Sequence, residues 1–310
     1  MPAWADLSAA DLSLLPFSTR AFAEAVLQAL PLRCTWHEVL ENDQVLAALP
    51  VFHRKRGPIR ETVIPPFTAY TPPLLRSPLE EHAIHARRHP LIPLLESLEE
   101  RYHVIRLHLH PGQTDVRPFL WRGWRASPFY TYSLPVEEEG LMVKAYSSAT
   151  RRTTRKYAEA FTFKEHAPSY PLAVECCVTS YQRQGRRLPL SVQALHLLVA
   201  GALNAGLART FFAYENGNAK PAAALVILQQ GETACYWVAG SEPGPSMTML
   251  VHHVLSVLMK DGVRRFDFIG ANTPTIAEFK RRFGARLTPF FRVEHIASPM
   301  LRACQALRRP

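Results

Sequence analysis

The sequence predicts a mixed α/β protein made of two consecutive halves, each a mixed, mainly antiparallel sheet flanked by helices. Three observations predict it. The 310 residues exceed the usual content of one domain, about 100 to 200 residues. Hydrophobic residues make up 47% and charged residues 20%, close to globular averages, so each half can bury a core. Short apolar runs punctuated by Asn-Asp, Asn-Gly and Gly turns alternate with segments of helical period in both halves.

The first half opens with a helical stretch near Thr19 to Leu30. Two strand-like runs follow, Arg33–Leu40 and Gln44–Phe52, around Asn42-Asp43, and read as a β-hairpin. The proline-rich stretch from Ile64 to Leu75 is too interrupted for a helix and fits only a loop or an edge strand. A helix from about Pro93 to Arg101 leads into a strand from Val104, and Phe129–Pro135 reads as a closing strand. Glu137-Glu138-Glu139 then starts a helical linker, since acidic side chains favour a helix N-terminus. The boundary falls near Val136, giving domains 1–136 and 137–310.

The second half is better punctuated. Ser191 caps a helix carrying Leu195, Leu198, Val199 and Leu203, and Gly206 supplies its left-handed terminus. Leu207–Tyr214, the Asn216-Gly217 turn, Ala222–Leu228, the Gly231 turn and Thr233–Gly240 make a three-strand antiparallel meander. Ser241–Ser246 is a loop. Met247–Lys260 places Leu250, Val251, Val254, Leu255, Leu258 and Met259 on one helical face. Arg265–Ile269 is a strand, Thr275–Phe283 a short helix ended by Gly284, and Leu287–Ile296 a last strand.

Composition narrows the setting. No apolar run reaches the roughly 18 residues that cross a bilayer, and the N-terminus lacks the pattern of a signal peptide, so a cytoplasmic protein is expected. Five cysteines with no Cys-x-x-Cys spacing read as reduced structural thiols. The net charge of +10 favours nucleic acid, an anionic surface or phosphorylated small molecules as partners. It concentrates in two clusters, Arg151, Arg152, Arg155 and Lys156, and Lys280, Arg281, Arg282 and Arg286. His82, His85 and His89 share a helical spacing but have no cysteine or carboxylate to complete a metal set. His252 and His253 offer either a general base or the polar side of a helix.

The order helix, three strands, helix, strand, helix, strand resembles the core of a GNAT acyltransferase. Several phrases resemble the FemAB-like branch, which includes FemABX peptidyltransferases and CelD/BcsL-type proteins. They are Tyr70-Thr-Pro-Pro-Leu-Leu, Gly123-Trp with Tyr130-Thr-Tyr-Ser-Leu, Arg151-Arg-Thr-Thr-Arg-Lys, Tyr236-Trp-Val-Ala-Gly-Ser, Phe266-Asp-Phe-Ile-Gly and Phe279-Lys-Arg-Arg-Phe-Gly-Ala. The resemblance implies tandem GNAT domains, the first degenerate, and donor binding between Thr233–Ala239 and Arg265–Ile269. The donor site would include Val238, Ser241, Gly244, Ser246 and Met247, because the helix after that loop offers free N–H groups to a pyrophosphate. Of the usual loop motif only Gly244 matches, Pro245 removes a donor and Glu242 adds negative charge. A Pro-Gly turn with a serine cap accounts for the loop equally well.

Strand alternation puts Asp267 on the face opposite Phe266 and Phe268. It either orients or deprotonates an amine acceptor, or pairs with Arg264 or Arg265. Tyr236 either returns a proton to the leaving group or only packs. Lys280, and beside it Arg281, is implied to reach the donor's phosphates, against the alternative of a solvated face. Arg152 and Arg155 either hold an anionic acceptor or RNA or keep the surface soluble. The function implied is N-acyl transfer from acyl-coenzyme A to a small-molecule or peptide amine, with no metal. Aminoacyl-tRNA-dependent peptidyl transfer is the second reading, and a catalytically inactive binding module the third.

Overall fold

The computed structural model describes residues 16–76 and 89–298. They divide into two compact units, one of residues 31–76, 89–129 and 289–298, the other of residues 16–30 and 130–288. Helix α1 (Arg20–Ala29) thus precedes the first unit in the chain but belongs to the second. Its cap is local, Thr19 Oγ1 accepting from Phe22 N–H at 3.1 Å. Its buried face is Phe22, Ala23, Ala25 and Val26.

In the first unit, β1 (Arg33–Glu41) and β2 (Gln44–Arg56) form the expected hairpin, paired from Arg33↔His53 to Glu41↔Gln44. Asn42 and Asp43 both have positive φ, 49° and 61°, which makes the two-residue turn match the twist of the strands. β3 (Ile59–Thr62) continues antiparallel to β2, and the two-residue β4 (Leu74–Leu75) pairs with β2 at Ala47 and Ala48. The proline-rich stretch is therefore loop with a short edge bridge. Helix α2 (Leu91–Arg101) leads to β5 (Val104–His108) and the short α3 (Arg117–Trp121) follows. Leu94, Leu95 and Leu98 of α2 close one core with Leu49, Val51, Ile105, Leu107 and Trp124.

Strand β6 (Arg125–Pro135) enters the second unit at Tyr130. Helices α4 (Glu139–Ala145) and α5 (Ser148–Lys156) follow, then β7 (Phe161–Glu165), α6 (Tyr170–Arg183) and α7 (Val192–Asn204). Ser191 caps α7 as expected, accepting from Ala194 N–H at 3.1 Å. The meander is β8 (Ala208–Glu215), β9 (Ala223–Gln230) and β10 (Thr233–Ser241). Helix α8 (Ser246–Lys260), β11 (Arg265–Asp267) and α9 (Pro274–Arg281) complete the unit. The strands lie in the order β6-β11-β10-β9-β8-β7, with only β10 and β11 parallel. Leu250, Val251, Val254, Leu255 and Leu258 of α8 pack against Phe211, Leu225, Ile227 and Phe266. The last strand, β12 (Arg286–Ile296), pairs with β5 of the first unit from Arg292↔His108 to Ile296↔Val104.

Two consecutive halves meeting near Val136 do not describe this division. Residues 16–30 join the second unit because α1 buries its small face on α7, where a Cβ on Gly201 would lie 2.8 Å from that of Ala25. Residues 289–298 join the first unit through the β5 pairing. No described helix is long and apolar enough to cross a membrane.

Candidate active site

β10 and β11 run parallel for only three pairs, Thr233↔Arg265, Ala234↔Phe266 and Cys235↔Asp267. β10 continues to Ser241 on β9, whereas β11 ends at Asp267, two residues short of the expected Ile269. The reason is local: Ile269 and Gly270 have φ of 39° and 74°, outside any strand. Phe268 and Ala271 instead donate their N–H groups to Tyr132 and Tyr130 carbonyls of β6. The two parallel strands therefore separate beyond Cys235 and Asp267. On its β9 side β10 carries a bulge, the register passing from Tyr236↔Ile227 to Val238↔Val226 and skipping Trp237. Such an extra residue bends the strand and re-aims its backbone.

Three of the expected residues meet at this fork. Asp267 is only 4% exposed and its Oδ1 accepts from Thr131 Oγ1 at 2.5 Å and from Ile269 N–H at 2.8 Å. Arg264 pairs with Glu232 instead. The Tyr236 ring lies 5.6 Å from Lys280 Nζ and 6.0 Å from the Phe268 ring. Burial pushes its phenol well above the ordinary range, so it stays protonated at neutral pH. Lys280 is 4% exposed, and its ammonium donates to the carbonyls of Phe268, Ile269 and Gly270 at 2.7, 2.5 and 2.6 Å. Burial lowers its pKa to about 8, opposed by the charge of Asp267.

That placement corrects the expectation that Lys280 reaches a phosphate, because all three of its N–H groups are engaged inside the chain. Arg281 points outward and pairs with Glu278 at 2.8 Å. Arg152 and Arg155 are exposed on α5 and make no ion pair with a described residue. Arg151 caps the preceding helix instead, donating to the Tyr146 and Lys144 carbonyls. The two basic segments do come together: Thr150 and Thr153 of α5 line a small cleft with Thr248, Phe279 and Arg282.

The loop from Ser241 to Ser246 is firmly held. Ser180 Oγ accepts from Ser241 N–H at 2.9 Å, and Arg183 Nη2 donates to the Ser241 carbonyl at 2.6 Å. Gly244 has φ of 130°, a conformation that side chains resist. Ser246 Oγ donates to the Ala222 carbonyl at 3.2 Å, and Val238 and Met247 are buried. A donor would therefore meet these three through their backbone rather than their side chains. Thr131, Ser180 and Arg183 escape the sequence reading. Thr131 carries the one available signal, a polar side chain in the strand phrase Tyr130-Thr-Tyr-Ser-Leu.

The histidines are occupied elsewhere. His252 Nδ1 lies 3.3 Å from Tyr146 Oη, and His253 stacks on Phe163 at 4.4 Å. Burial lowers the pKa of both. His82 and His85 lie outside the described residues, and buried His89 accepts the Leu91 N–H through Nδ1 at 3.2 Å. Among the described residues no group of three or more His, Cys, Asp or Glu side chains is placed to hold a metal. The thiols of Cys34 and Cys176 are raised to about 11, chiefly by burial, and stay protonated.

A mixed sheet whose two parallel strands fork, with a bulge on one and a helix opening beyond it, defines the GNAT class of acyltransferase folds. Residues 144–281 match the acetyltransferase (GNAT) domain family. The whole chain is similar to the crystal structure of FemX, at 10% identity and a TM-score of 0.72 with 98% of each chain covered. It is also similar to a tandem GNAT protein from the clavulanic acid biosynthesis pathway (12% identity, TM-score 0.57, covering 96% of this chain and 94% of that one). A third likeness is to L-PGS from Bacillus licheniformis (11% identity, TM-score 0.56, 95% and 96% covered). The chain thus has a tandem GNAT fold similar to that of FemX, and its matched GNAT domain marks it as an acyltransferase. No curated protein matches the sequence.

Proposed function

We propose that the protein transfers an acyl group from acyl-coenzyme A to an amine acceptor at the fork between β10 and β11. The observation that carries this reading is the three-pair limit of the parallel ladder, beyond which β10 runs on without β11 beside it. The amide-bearing arm of coenzyme A is an extended chain able to bond such a strand edge. The bulge at Trp237 and the start of α8 would then lie along its path toward the phosphates.

In the reaction the amine nitrogen bonds to the acyl carbon and the carbonyl electrons move to oxygen. Their return breaks the C–S bond, and the thiolate takes a proton from Tyr236, which the acceptor nitrogen's proton replaces. Amine plus thioester gives amide plus thiol. Positioning and stabilisation of the oxyanion supply most of the rate.

A specific observation favours aminoacyl-tRNA as a second donor. Arg152 and Arg155 are exposed without an ion pair among the described residues, in a chain of net charge +10. A thermal-shift screen with acetyl-coenzyme A, longer acyl-coenzyme A species and charged tRNA separates the readings, since a ligand of the native state raises Tm by mass action. A shift with acyl-coenzyme A supports the first reading. A shift with charged tRNA alone, lost steeply with salt, replaces it by the second.

A further inference from the structure

The turn that ends β11 is held from both sides by charged groups. Ile269 is β-branched, yet sits at a φ of 39°, where a Cβ crowds the backbone. Its N–H is taken by Asp267 Oδ1 at 2.8 Å and its carbonyl by Lys280 Nζ at 2.5 Å. The carbonyls on either side, of Phe268 and Gly270, converge on the same ammonium at 2.7 and 2.6 Å. Asp267 is fixed in turn by Thr131 at 2.5 Å. Desolvating an ammonium to reach neutral carbonyls is unfavourable, so stability does not explain this lysine. What it holds does explain it, because an outlier conformation persists only where its surroundings enforce it.

The consequence lies at the next peptide. No described peptide bond is cis, so the Gly270 N–H points opposite to the Ile269 carbonyl. With that carbonyl on Lys280, the N–H is turned away from the lysine. It has no hydrogen-bond partner among the described residues, and Gly270 is half-buried where β11 leaves β10. An N–H held rigidly without a partner beside a site of acyl transfer is what oxyanion stabilisation requires.

We propose that Lys280 and Asp267 are positioning residues that fix the Phe268–Gly270 turn, so that the Gly270 N–H donates to the oxygen of the acyl group being transferred. This rests on the acyl-transfer reading and adds a donor to it. As the carbonyl becomes a tetrahedral oxyanion, the N–H bond strengthens. When the C–S bond breaks and the electron pair leaves on sulfur, the charge on oxygen returns to a carbonyl.

Lys280→Met tests both parts. Its kcat is expected to fall roughly 100-fold, the typical effect of losing one oxyanion donor, with KM for the donor within about threefold. Amide exchange at Ile269 and Ala271 is expected to quicken in the variant while α8 keeps its protection. Lys280→Arg keeps the charge without the three-way convergence and is expected to repeat the loss. Ile269→Gly, which adopts positive φ freely, is expected to restore part of the kcat lost in Lys280→Met. In the wild type, kcat is expected to fall as pH rises through about 8, because only the ammonium satisfies three carbonyls. The titratable groups facing it are Asp267 from β11 and Tyr236 from β10.

An unchanged kcat, a rise in KM alone, full rescue by arginine, or a kcat that rises through pH 8 would each overturn the proposal. If the wild type turns over no donor, the acyl-transfer reading and the role of the Gly270 N–H fall together. The exchange comparison still decides whether Lys280 holds the turn.

Discussion

Replacing Gly240 with alanine measures how tightly β10 is seated. Gly240 lies near the end of β10 and crosses helix α6 with no side chain between them. A Cβ there would fall 2.0 Å from the Cys176 carbonyl oxygen, 2.2 Å from its carbon and 2.4 Å from the Cys177 nitrogen. Ordinary contact begins at 3.4 Å, so the shortfall is 3.4 minus 2.0, or 1.4 Å, and every atom in the way is backbone. No rotamer change relieves it. Strand or helix must shift, at a cost of about 3 kcal/mol, the upper end of the overpacking range. At roughly 2 to 4 °C per kcal/mol for a domain of this size, Tm falls by about 6 to 12 °C. Scanning calorimetry checks this against Gly140→Ala, where a Cβ meets nothing within 4 Å and alanine favours the helix. A Gly240→Ala variant that melts within about 2 °C of the wild type would refute the seating described here.

Other consequences follow from polar groups elsewhere in the fold. His37 and His108 are held neutral by burial, each with a pKa of about 4 against an ordinary 6.5. Stability is therefore complete above about pH 6.5 and declines as pH falls toward 4, because the unfolded chain binds protons that the folded chain refuses. Each residue contributes at most about 3 kcal/mol to that decline, and urea midpoints at pH 7, 5.5 and 4.5 measure it. A flat profile across that window contradicts the assignment. Arg183→Ala removes the guanidinium from the Ser241 carbonyl. If the Ser241–Ser246 loop binds the donor, loss of about 1 kcal/mol there raises KM for the donor roughly fivefold with kcat unchanged, and steady-state kinetics that show no change in KM count against the loop.

Much of the second unit is legible because its turns are chemical. Asn216-Gly217, Gly231, Ser191 and Gly206 each impose a local geometry, and the meander and α7 follow from them. Helix α6 and strand β7 stay hidden. The buried face of α6 is Ala173, Val174, Cys177 and Ser180, too small and mixed to announce a period, and Phe161–Glu165 is mostly polar. The places of α1 and of residues 289–298 depend on packing against distant segments, which pattern reading assigns to neighbours in sequence. At the site, alternation correctly separates Asp267 from Phe266 and Phe268, whose rings meet at 5.0 Å. Lys280 shows the limit of such reasoning. A basic run on a short helix gives no sign that its first member turns inward to three carbonyls, since those acceptors are created by a positive φ at Ile269, ten or more residues earlier.

The proposed acyl transfer at the fork of β10 and β11, with Tyr236 returning the proton, makes a direct prediction. Thiol release from acetyl-coenzyme A and an amine acceptor, compared between the wild type and Tyr236→Phe, tests it most directly. The variant is expected to bind the donor as the wild type does but to release thiol about 100-fold more slowly, the scale of one acid-base catalyst. Equal rates from the two proteins, or a wild type that neither binds nor cleaves acyl-coenzyme A, would contradict it.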